Sequence, residues 1–292
     1  MTITEQDIGQ VIRKMDPGWR LKYTQPLPGR ASVLHVATGA ERTKLLILLT
    51  HSQRDRERNP QMARDEFRLL EFLKETGLPV PDALYLNEAH ETPFLITSFA
   101  EGSPDFGDKP IPAFCHALAD ILHSIHATDL GKCDLSFLPD IKNVIARQRD
   151  ARSSEQRRIQ AAMQLVEPRI ECNKPALLHG DFWPGNLLWK DGALSAIIDW
   201  EDAMLGEPLA DLGKSRLEIL WAFGSAAMNA YTARYLQLNR KLDAEALPYW
   251  DLWGASRLSH FASFAPEPDQ IPRMKSQYQA FIGAAICRLA AL

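Results

Sequence analysis

The sequence predicts an α+β fold, in which a small lobe of antiparallel strands precedes a larger, mainly helical lobe. Two observations support this prediction. Short β-rich runs separated by Gly and Pro turns fill most of residues 19–100, a pattern typical of consecutive antiparallel strands. Amphipathic helical patterns dominate after residue 113. We therefore expect an N-terminal lobe over residues 1–102 and a C-terminal lobe over residues 103–292.

The N-terminal lobe is expected to contain strands and two helices. Gly and Pro residues separate the β-rich runs, as at Pro28-Gly29-Arg30. Apolar residues recur near helical spacing after residue 62, and Gly77 stands where this helix is expected to end. The expected helices cover residues 5–15 and 62–76, and the expected strands cover residues 19–27, 32–38, 43–50, 78–87 and 92–100.

The C-terminal lobe follows a linker rich in Gly, Asp and Pro, at residues 101–112. The pattern then predicts an amphipathic helix, a charged helical stretch, a hairpin and a series of helices with scattered aromatic residues. These segments cover residues 113–130, 140–166, 177–203 and 208–292, in that order.

Composition and charge disfavour several classes of protein. The net charge of −4 gives no general attraction for nucleic acid or for an anionic membrane, so we expect neither as a partner. No run of about eighteen apolar residues occurs and the first residues do not resemble a signal peptide, so we expect a cytoplasmic protein. The 4 cysteines are scattered without CxxC spacing, which disfavours a disulfide framework or a zinc site. The oligomeric state stays open.

The stretch LLHGDFWPGNLLWKDGALSAIIDWEDA, from residue 177 to residue 203, places polar side chains among apolar strands. Asp191-Gly192 is a strong signal for a two-residue hairpin turn. The facing pairs expected from such a turn are Lys190 with Ala193 and Asn186 with Ile197. Asp199 is then the diagonal neighbour of Asn186, at about 7–8 Å. This spacing suits two oxygen-bearing side chains that share one magnesium ion.

Asp181 precedes Asn186 by five residues, across a Pro-Gly loop. An Asp, four residues and then an Asn is the spacing of the catalytic loop of kinases, in which a metal-binding Asp follows. A carboxylate at position 181 can accept the proton of a hydroxyl group that attacks phosphorus. Asp181, Asn186 and Asp199 together therefore favour phosphoryl transfer over a chance arrangement.

Two motifs resemble those of a known family. HGDFWPGNLLW and IIDWEDAMLGEPLADLG together closely resemble segments of the aminoglycoside phosphotransferase and choline kinase-like family. Weaker similarity extends over most of the chain, in PGRASVLHV, EFRLLEFLKETGLPVP and PFLITSFAEG. Members of this family are small-molecule kinases. The resemblance therefore implies a protein-kinase-like two-lobe fold, with ATP (GTP is possible) and Mg²⁺ as cofactors.

The resemblance also implies a role for each matching residue. Asp181 is expected to be the catalytic base, and Asn186 and Asp199 are expected to bind magnesium. His179 and Asp211 are expected to support the catalytic loop. The expected nucleotide-binding residues are Gly29, Arg30 and Ser32 over the phosphates, Glu66 on the lobe helix, Ser98 and Ala100 through their backbone groups, and Leu188 and Ile198 beneath the adenine.

The sequence departs from the family pattern in the third strand. The family has a Lys or Arg near the end of this strand, which pairs with a Glu on the next helix, and Glu66 matches that Glu. Leu49 stands at about the position of the basic residue. The cation that binds phosphate is therefore missing or comes from elsewhere, with Arg30, Lys44 and Arg54 as candidates. Such a contact is charge-assisted and strong.

The sequence thus predicts an ATP- and magnesium-dependent phosphotransferase that phosphorylates a hydroxyl of a small molecule, which is aminoglycoside-, amino-alcohol- or sugar-like. The alternative is a non-catalytic member of the same fold that binds a ligand or a partner, because Leu49 replaces the expected cation. A protein kinase is disfavoured, since the loop has HGD instead of HRD and WED instead of FG follows Asp199. Residues 201–292 contain ten acidic and nine basic residues, so charge does not identify the acceptor.

Overall fold

The computed structural model describes residues 3–27, 29–39, 41–147, 153–166, 173–264 and 267–291. The chain forms two compact units. The first comprises Met1–Ser103 and Leu187–Glu201, and the second comprises Pro104–Asn186 and Asp202–Leu292. The segment Leu187–Glu201 therefore belongs to the first unit, whereas a single division after residue 102 assigns it to the C-terminal lobe.

The described part of the chain contains short strands and mostly longer helices. The strands are β1 (Arg20–Pro26), β2 (Ala31–Ala37), β3 (Thr43–Thr50), β4 (Ala83–Asn87), β5 (Phe94–Ser98), β6 (Ala176–Leu178), β7 (Leu187–Lys190), β8 (Ala193–Ile197) and β9 (Met204–Gly206). The helices are α1 (Glu5–Met15), α2 (Gln53–Arg58), α3 (Met62–Thr76), α4 (Ile111–His126), α5 (Ile141–Arg147), α6 (Ser154–Val166), α7 (Pro208–Phe223), α8 (Ser225–Leu238), α9 (Leu247–Arg257) and α10 (Ile271–Leu289).

The first unit is built on an antiparallel sheet with the strand order β1-β2-β3-β5-β4. The predicted N-terminal strands and helices are confirmed, except that β4 begins at Ala83 and not at residue 78, and α2 is an additional short helix. Side chains alternate along β3, so that Leu46 and Leu48 share one face of the sheet. Both belong to a buried apolar cluster with Ile12 of α1. Leu49 therefore lies on the face of β3 that points away from this cluster.

The ends of two helices in the first unit follow from local sequence. Thr4 caps α1, because its Oγ1 accepts the backbone N–H of Asp7 at 3.2 Å, and the Asp7 carboxylate accepts the N–H of Thr4 at 2.9 Å. Helix α3 ends at Gly77, whose φ of 83° lies in the left-handed region. The stop signal predicted at this glycine is confirmed.

Backbone hydrogen bonds explain why the hairpin of β7 and β8 belongs to the first unit. Trp189 and Ser103 exchange N–H···O bonds of 2.7 and 3.1 Å, and Ile197 N–H donates to Pro79 O at 2.7 Å. Gly102 permits this close approach, since a Cβ at this position would lie 2.7 Å from Trp189 O. The hairpin thus extends the hydrogen-bonded structure of the first unit.

This hairpin turns at Asp191-Gly192 as predicted, and Lys190 faces Ala193. The register then shifts, because between the pairs Leu188–Ala196 and Trp189–Leu194 strand β8 has one residue more than β7. The extra residue is Ser195, which forms a β-bulge. Its Oγ donates to Glu101 O, so a contact remote in sequence accompanies the bulge.

The bulge changes the expected pairing of Asn186. Leu187, and not Asn186, faces Ile197. Asn186 lies before the strand, at the end of a short 3₁₀ helix. The prediction that Asn186 faces Ile197 is therefore wrong, and the placement of Asp199 as its diagonal neighbour, which was derived from that pairing, no longer has support.

The second unit is mainly helical, as predicted. The stretch 140–166 contains α5 and α6, and residues 148–152 between them lie outside the described residues. Strands β6 and β9 form a two-stranded antiparallel sheet. In the part of the chain that the structure describes, no helix is long and apolar enough to cross a membrane.

Helices α7 and α9 pack closely through two glycines. A Cβ on Gly213 of α7 would lie 2.4 Å from Trp250 O, and a Cβ on Gly254 of α9 would lie 2.6 Å from Lys214 Cα. The two backbones therefore approach more closely than larger residues allow. This contact fixes α7 and, with it, the position of Lys214.

Candidate active site

A tight loop follows β6 and contains His179, Gly180 and Asp181. Gly180 has a φ of 78°, and a Cβ at this position would lie 2.0 Å from Asp202 O, so only glycine fits. Asp211, in the first turn of α7, accepts the backbone N–H groups of His179 at 2.7 Å and of Gly180 at 2.9 Å. These two bonds hold the loop, which is the kind of contact that a supporting role for Asp211 requires.

Asp211 is an ionised carboxylate in a buried setting. Besides the loop, it contacts His126, whose Nε2 lies 3.3 Å from Oδ2, and Nδ1 of His126 lies 2.5 Å from Tyr235 Oη. Burial alone raises the pKa of Asp211, but the hydrogen bond and charge of His126, with the contributions of His179, outweigh burial and lower the pKa. The negative charge strengthens the hydrogen bonds that Asp211 accepts from the loop.

Asp181 combines a buried ion pair with an accessible face. Its Oδ1 accepts a hydrogen bond from Lys214 Nζ, and its Oδ2 accepts one from Asn186 Nδ2 at 3.1 Å. The Asp181 side chain is 30% exposed, whereas the Lys214 side chain is 3% exposed. Burial alone raises the pKa of Asp181, but the charge and hydrogen bond of Lys214 outweigh it and lower the pKa. Asp181 is therefore ionised and accessible, as a group that accepts a hydroxyl proton must be.

Sequence reasoning missed Lys214. It lies on α7 three residues after Asp211, and its Nζ is also 3.4 Å from Glu218 Oε1. Burial alone lowers the pKa of Lys214, but Asp181 and Glu218 outweigh it and raise the pKa, so Lys214 is a cation. The available signal was a lysine within a largely apolar helix, since a lysine is rarely buried without a carboxylate partner.

Asn186 and Asp199 fit the chemistry of magnesium. Asn186 Nδ2 donates to Asp181 O at 2.9 Å and to Oδ2 at 3.1 Å, so these bonds leave the amide oxygen Oδ1 for another ligand. Asp199 belongs to the first unit and has a φ of 66°, a left-handed conformation that Asp tolerates better than most residues. Amide and carboxylate oxygens suit magnesium, and phosphate or water completes its shell. The described residues contain no cluster of three or more His, Cys, Asp or Glu that could hold a metal.

Gly29 and Arg30 form the turn between β1 and β2, where the nucleotide loop is predicted. Gly29 has a φ of 82°, which favours glycine, and Ser32 follows in β2. Thr50, the last residue of β3, donates its backbone N–H and its Oγ1–H to Arg30 O at 3.3 and 3.1 Å. The predicted phosphate loop is thus tied to the end of β3.

The predicted adenine contacts agree only partly with the backbone. Ser98 is expected to offer backbone groups, but its N–H donates to Asp82 O at 2.9 Å, which engages this donor. The predicted role of the Ser98 backbone stays a prediction. Ala100 lies beyond β5, Leu188 lies in β7 and Ile198 directly follows β8, with all three partly exposed. Their contacts with adenine stay predictions.

His51 contacts Glu66, and sequence reasoning missed this residue too. The Nε2 atom of His51 lies 2.8 Å from Glu66 Oε2, and the two side chains are 2% and 6% exposed. His51 directly follows β3, and one residue, Thr50, separates it from Leu49. A histidine therefore pairs with the carboxylate for which the family pattern predicts a Lys or Arg.

The cations predicted as candidates lie elsewhere in the first unit. Lys44 is near the start of β3, where its Nζ lies 4.7 Å from the centre of the Trp19 ring. Arg54 is exposed on α2, and Arg30 is exposed in the turn before β2.

A comparison with protein families matches the part of the chain that contains both motifs. A model described as the phosphotransferase enzyme family matches residues 24–253. The chain belongs to this family. The matched segment includes Asp181, Asn186 and Asp199, so it covers both motifs. The predicted family resemblance is confirmed, and with it the predicted class of phosphotransferase enzymes.

Two relatives match a shorter part of the chain. Acyl-CoA dehydrogenase family member 10 of Mus musculus is 30% identical over 176 residues, which make up 52% of this chain and 16% of that protein. Homoserine kinase of Pseudomonas aeruginosa is 29% identical over 199 residues, which make up 61% of each protein. The chain thus matches less than two thirds of the length of either relative.

A solved structure has the same fold. It is a thermostable mutant of aminoglycoside phosphotransferase APH(4)-Ia in a ternary complex with AMP-PNP and hygromycin B. The TM-score is 0.64 at 15% identity, and the similarity covers 94% of this chain and 97% of that chain. At this identity the similarity shows the fold alone, and it confirms the predicted α+β, protein-kinase-like fold.

Proposed function

We propose that this protein transfers the γ-phosphoryl group of ATP, with magnesium, to a hydroxyl of a small molecule. The observation that supports this most directly is the ionised, accessible carboxylate of Asp181, which Lys214 holds on a loop that Asp211 fixes. Family membership supports the reaction class. The complex of the similar structure with AMP-PNP supports an adenine nucleotide as the donor, with GTP as the alternative.

Asp181 orients the acceptor hydroxyl and accepts its proton as the oxygen attacks the γ-phosphorus. The bond from the γ-phosphorus to the bridging oxygen breaks, and ADP leaves. Lys214 contacts Oδ1 and Asn186 contacts Oδ2, so the carboxylate is oriented before the acceptor binds. Asn186 and Asp199 would hold magnesium, which would supply neutralising charge to the phosphates. Catalysis then comes mainly from positioning and electrostatics.

The acceptor is a small molecule with a hydroxyl group, of the amino-alcohol, aminoglycoside or sugar class. The homoserine kinase and the complex with hygromycin B support the first two classes. The charges near Asp181 are paired, since Lys214 also contacts Glu218, and Arg257 contacts Asp202 at 2.6 Å. These pairs leave no large excess of one sign, so charge does not choose among the three classes.

Calorimetry with ATP and GTP, each with and without magnesium, tests the proposed donor and ion. We expect magnesium-dependent binding that Asp199→Asn removes. Asp191→Asn is the matched control, because Asp191 is also exposed and also left-handed, with a φ of 51°. Absence of nucleotide binding by the unmodified protein at millimolar concentration contradicts the proposal.

A non-catalytic member of the family is the second candidate, and Leu49 is the observation that favours it. Phosphoryl transfer to an acceptor panel and to water separates the two candidates. A kinase consumes ATP in at least one of these assays and loses the activity in Asp181→Asn. Nucleotide binding without any consumption of ATP favours the non-catalytic candidate.

A further inference from the structure

His51 occupies the place beside Glu66 at which the family pattern expects a strand cation. Side chains alternate along β3, and His51 follows Leu49 by two residues, so it continues the face on which Leu49 lies. Its Nε2 is 2.8 Å from Glu66 Oε2, and His51 is 4% exposed. The missing cation therefore has a candidate two positions further along the chain.

The other ring nitrogen of His51 is buried and unpaired. Nδ1 makes no hydrogen bond with any residue that the structure describes. Buried polar atoms are nearly always paired with protein, water or a ligand. An unpaired nitrogen on a ring that Glu66 already orients indicates a binding position for a hydrogen-bond acceptor.

The charges around His51 favour its protonated form. Glu66 of α3, Asp55 of α2 and Glu201, which follows β8, are the charged groups that act on it. Burial alone lowers the pKa of His51, but these three carboxylates outweigh burial and raise the pKa, with Glu66 contributing most. A protonated histidine is a donor at both nitrogens, so Nδ1–H then requires an acceptor.

His51 also lies near the segments predicted to bind nucleotide. Thr50, its neighbour in sequence, donates two hydrogen bonds to Arg30 O in the turn that begins at Gly29. Glu201, whose charge reaches His51, follows the predicted magnesium ligand Asp199 by two residues. The residue that precedes His51 is thus hydrogen-bonded to the predicted phosphate loop.

We propose that His51, as an imidazolium oriented by Glu66, donates its Nδ1–H to a phosphate group of the bound nucleotide. It thus replaces the Lys or Arg that the third strand lacks at Leu49. This inference rests on the proposed function, because it assigns a residue to the nucleotide site of the kinase. The role of His51 leaves the proposed reaction and the proposed acceptor class unchanged.

Binding of AMP-PNP with magnesium, and of adenosine, is measured by calorimetry for the unmodified protein and for His51→Gln. We expect the affinity for AMP-PNP to fall about 10–100-fold, as for the loss of one charge-assisted hydrogen bond. Adenosine has no phosphate, so its affinity stays the same. His35→Gln is the matched control: His35 lies in β2 of the same sheet, stacks on Tyr23 at 4.0 Å and should change neither affinity.

The pH dependence of AMP-PNP binding distinguishes an effect of the charge of His51 from an effect of the shape of its side chain. The affinity of the unmodified protein for AMP-PNP falls as the pH rises through the raised pKa of His51, because the imidazolium then loses its proton. The His51→Lys variant keeps a cation beside Glu66 over the whole pH range, so its affinity for AMP-PNP changes less. Titration of the ligand itself affects both proteins equally and cancels in the comparison.

Equal AMP-PNP affinity of the unmodified protein and His51→Gln overturns the inference and leaves the proposed function in place. An equal pH dependence of the unmodified protein and His51→Lys does the same. A parallel loss of adenosine binding in His51→Gln also overturns it, since that result indicates a purely structural role. Failure of the unmodified protein to bind AMP-PNP overturns the proposed function, and the inference with it.

Discussion

Each unit, in the residues that the structure describes, buries a basic side chain beside a carboxylate of the predicted site, and the two pairs differ in chemistry. In the first unit His51 pairs with Glu66, and both side chains are almost fully buried. In the second unit Lys214 pairs with Asp181, which stays 30% exposed. Burial opposes the charge of both cations, yet both have a raised pKa. Because histidine titrates near neutrality and lysine does not, only the first pair is sensitive to ordinary changes of pH.

The exposure of the two carboxylates indicates what each pair does. Glu66 is enclosed, so it acts on a ligand only through His51. Asp181 presents part of its carboxylate to solvent and can contact an acceptor directly. Removal of the first cation is therefore expected to weaken nucleotide binding, whereas removal of the second is expected to slow the reaction.

The largest effect is expected for Asp181→Asn, which removes the carboxylate of the second pair. An amide does not accept the hydroxyl proton, so phosphoryl transfer to the acceptor should fall by about 10²–10⁴-fold. Asp191→Asn makes the same change in the exposed hairpin turn and should keep full activity. Steady-state turnover with labelled ATP measures both variants. Retention of more than about a tenth of the turnover by Asp181→Asn contradicts its role as base.

A smaller loss is expected for Lys214→Met, which keeps the length of the side chain and removes its charge. The carboxylate of Asp181 then loses the group that orients it, so kcat should fall by about 10–100-fold while KM for ATP changes little. Arg216→Met is the matched control, because it breaks another buried ion pair of α7, with Asp251 at 2.8 Å. A rise in KM with an unchanged kcat shows that Lys214 does not position Asp181 for the reaction.

Much of the first unit could be predicted because local sequence determines it. The β-rich run Thr43–Thr50 has the predicted bounds, since turn-forming or polar residues stand on both sides. Gly77 ends α3 because glycine takes the left-handed conformation easily. The turn at Asp191-Gly192 follows from the same chemistry.

The two cations and the hairpin register could not be predicted, because they depend on contacts remote in sequence. Ser195 is bulged next to a bond with Glu101, which lies 94 residues earlier. Lys214 meets Asp181 across 33 residues, through the packing of α7. His51 meets Glu66 only when α3 lies against the end of β3. Local patterns identify the carboxylates of the site, whereas their partners follow from tertiary packing.

Gly254→Ala tests the packing that places Lys214. The new Cβ would lie 2.6 Å from Lys214 Cα, and backbone atoms cannot move aside as a flexible side chain does. We expect the free energy of unfolding to fall by about 1–3 kcal/mol, with a loss of turnover in the folded protein. Gly283→Ala in α10 is the control, since among the described residues no atom beyond its chain neighbours and the backbone of its own helix lies within 4 Å of its Cβ position. The free energy of unfolding of Gly283→Ala, measured with urea, should rise by about 0.5–1 kcal/mol. Equal stability of Gly254→Ala and Gly283→Ala contradicts the close packing of α7 and α9.

The smallest effect is expected in the pH dependence of stability, which distinguishes the two pairs most directly. The pKa of His51 is raised in the folded protein. Its pair therefore stabilises the fold fully below the pKa of an unfolded histidine, and this contribution is lost as pH rises through the folded-state pKa. A rise of one in the pKa of His51 corresponds to about 1.4 kcal/mol in the free energy of unfolding. Lys214 has a pKa raised from an already high value, so it keeps its proton over the same range.

Urea unfolding at about pH 6 and about pH 9 measures this contribution in the unmodified protein, His51→Gln and the control His35→Gln. The difference in unfolding free energy between the unmodified protein and His51→Gln should narrow as pH rises, and by more than the difference between the unmodified protein and His35→Gln. A constant difference for His51→Gln means that His51 is neutral beside Glu66, and a neutral histidine cannot replace the missing cation. A narrowing difference means that one proton on His51 governs both the stability of the first unit and its affinity for phosphate.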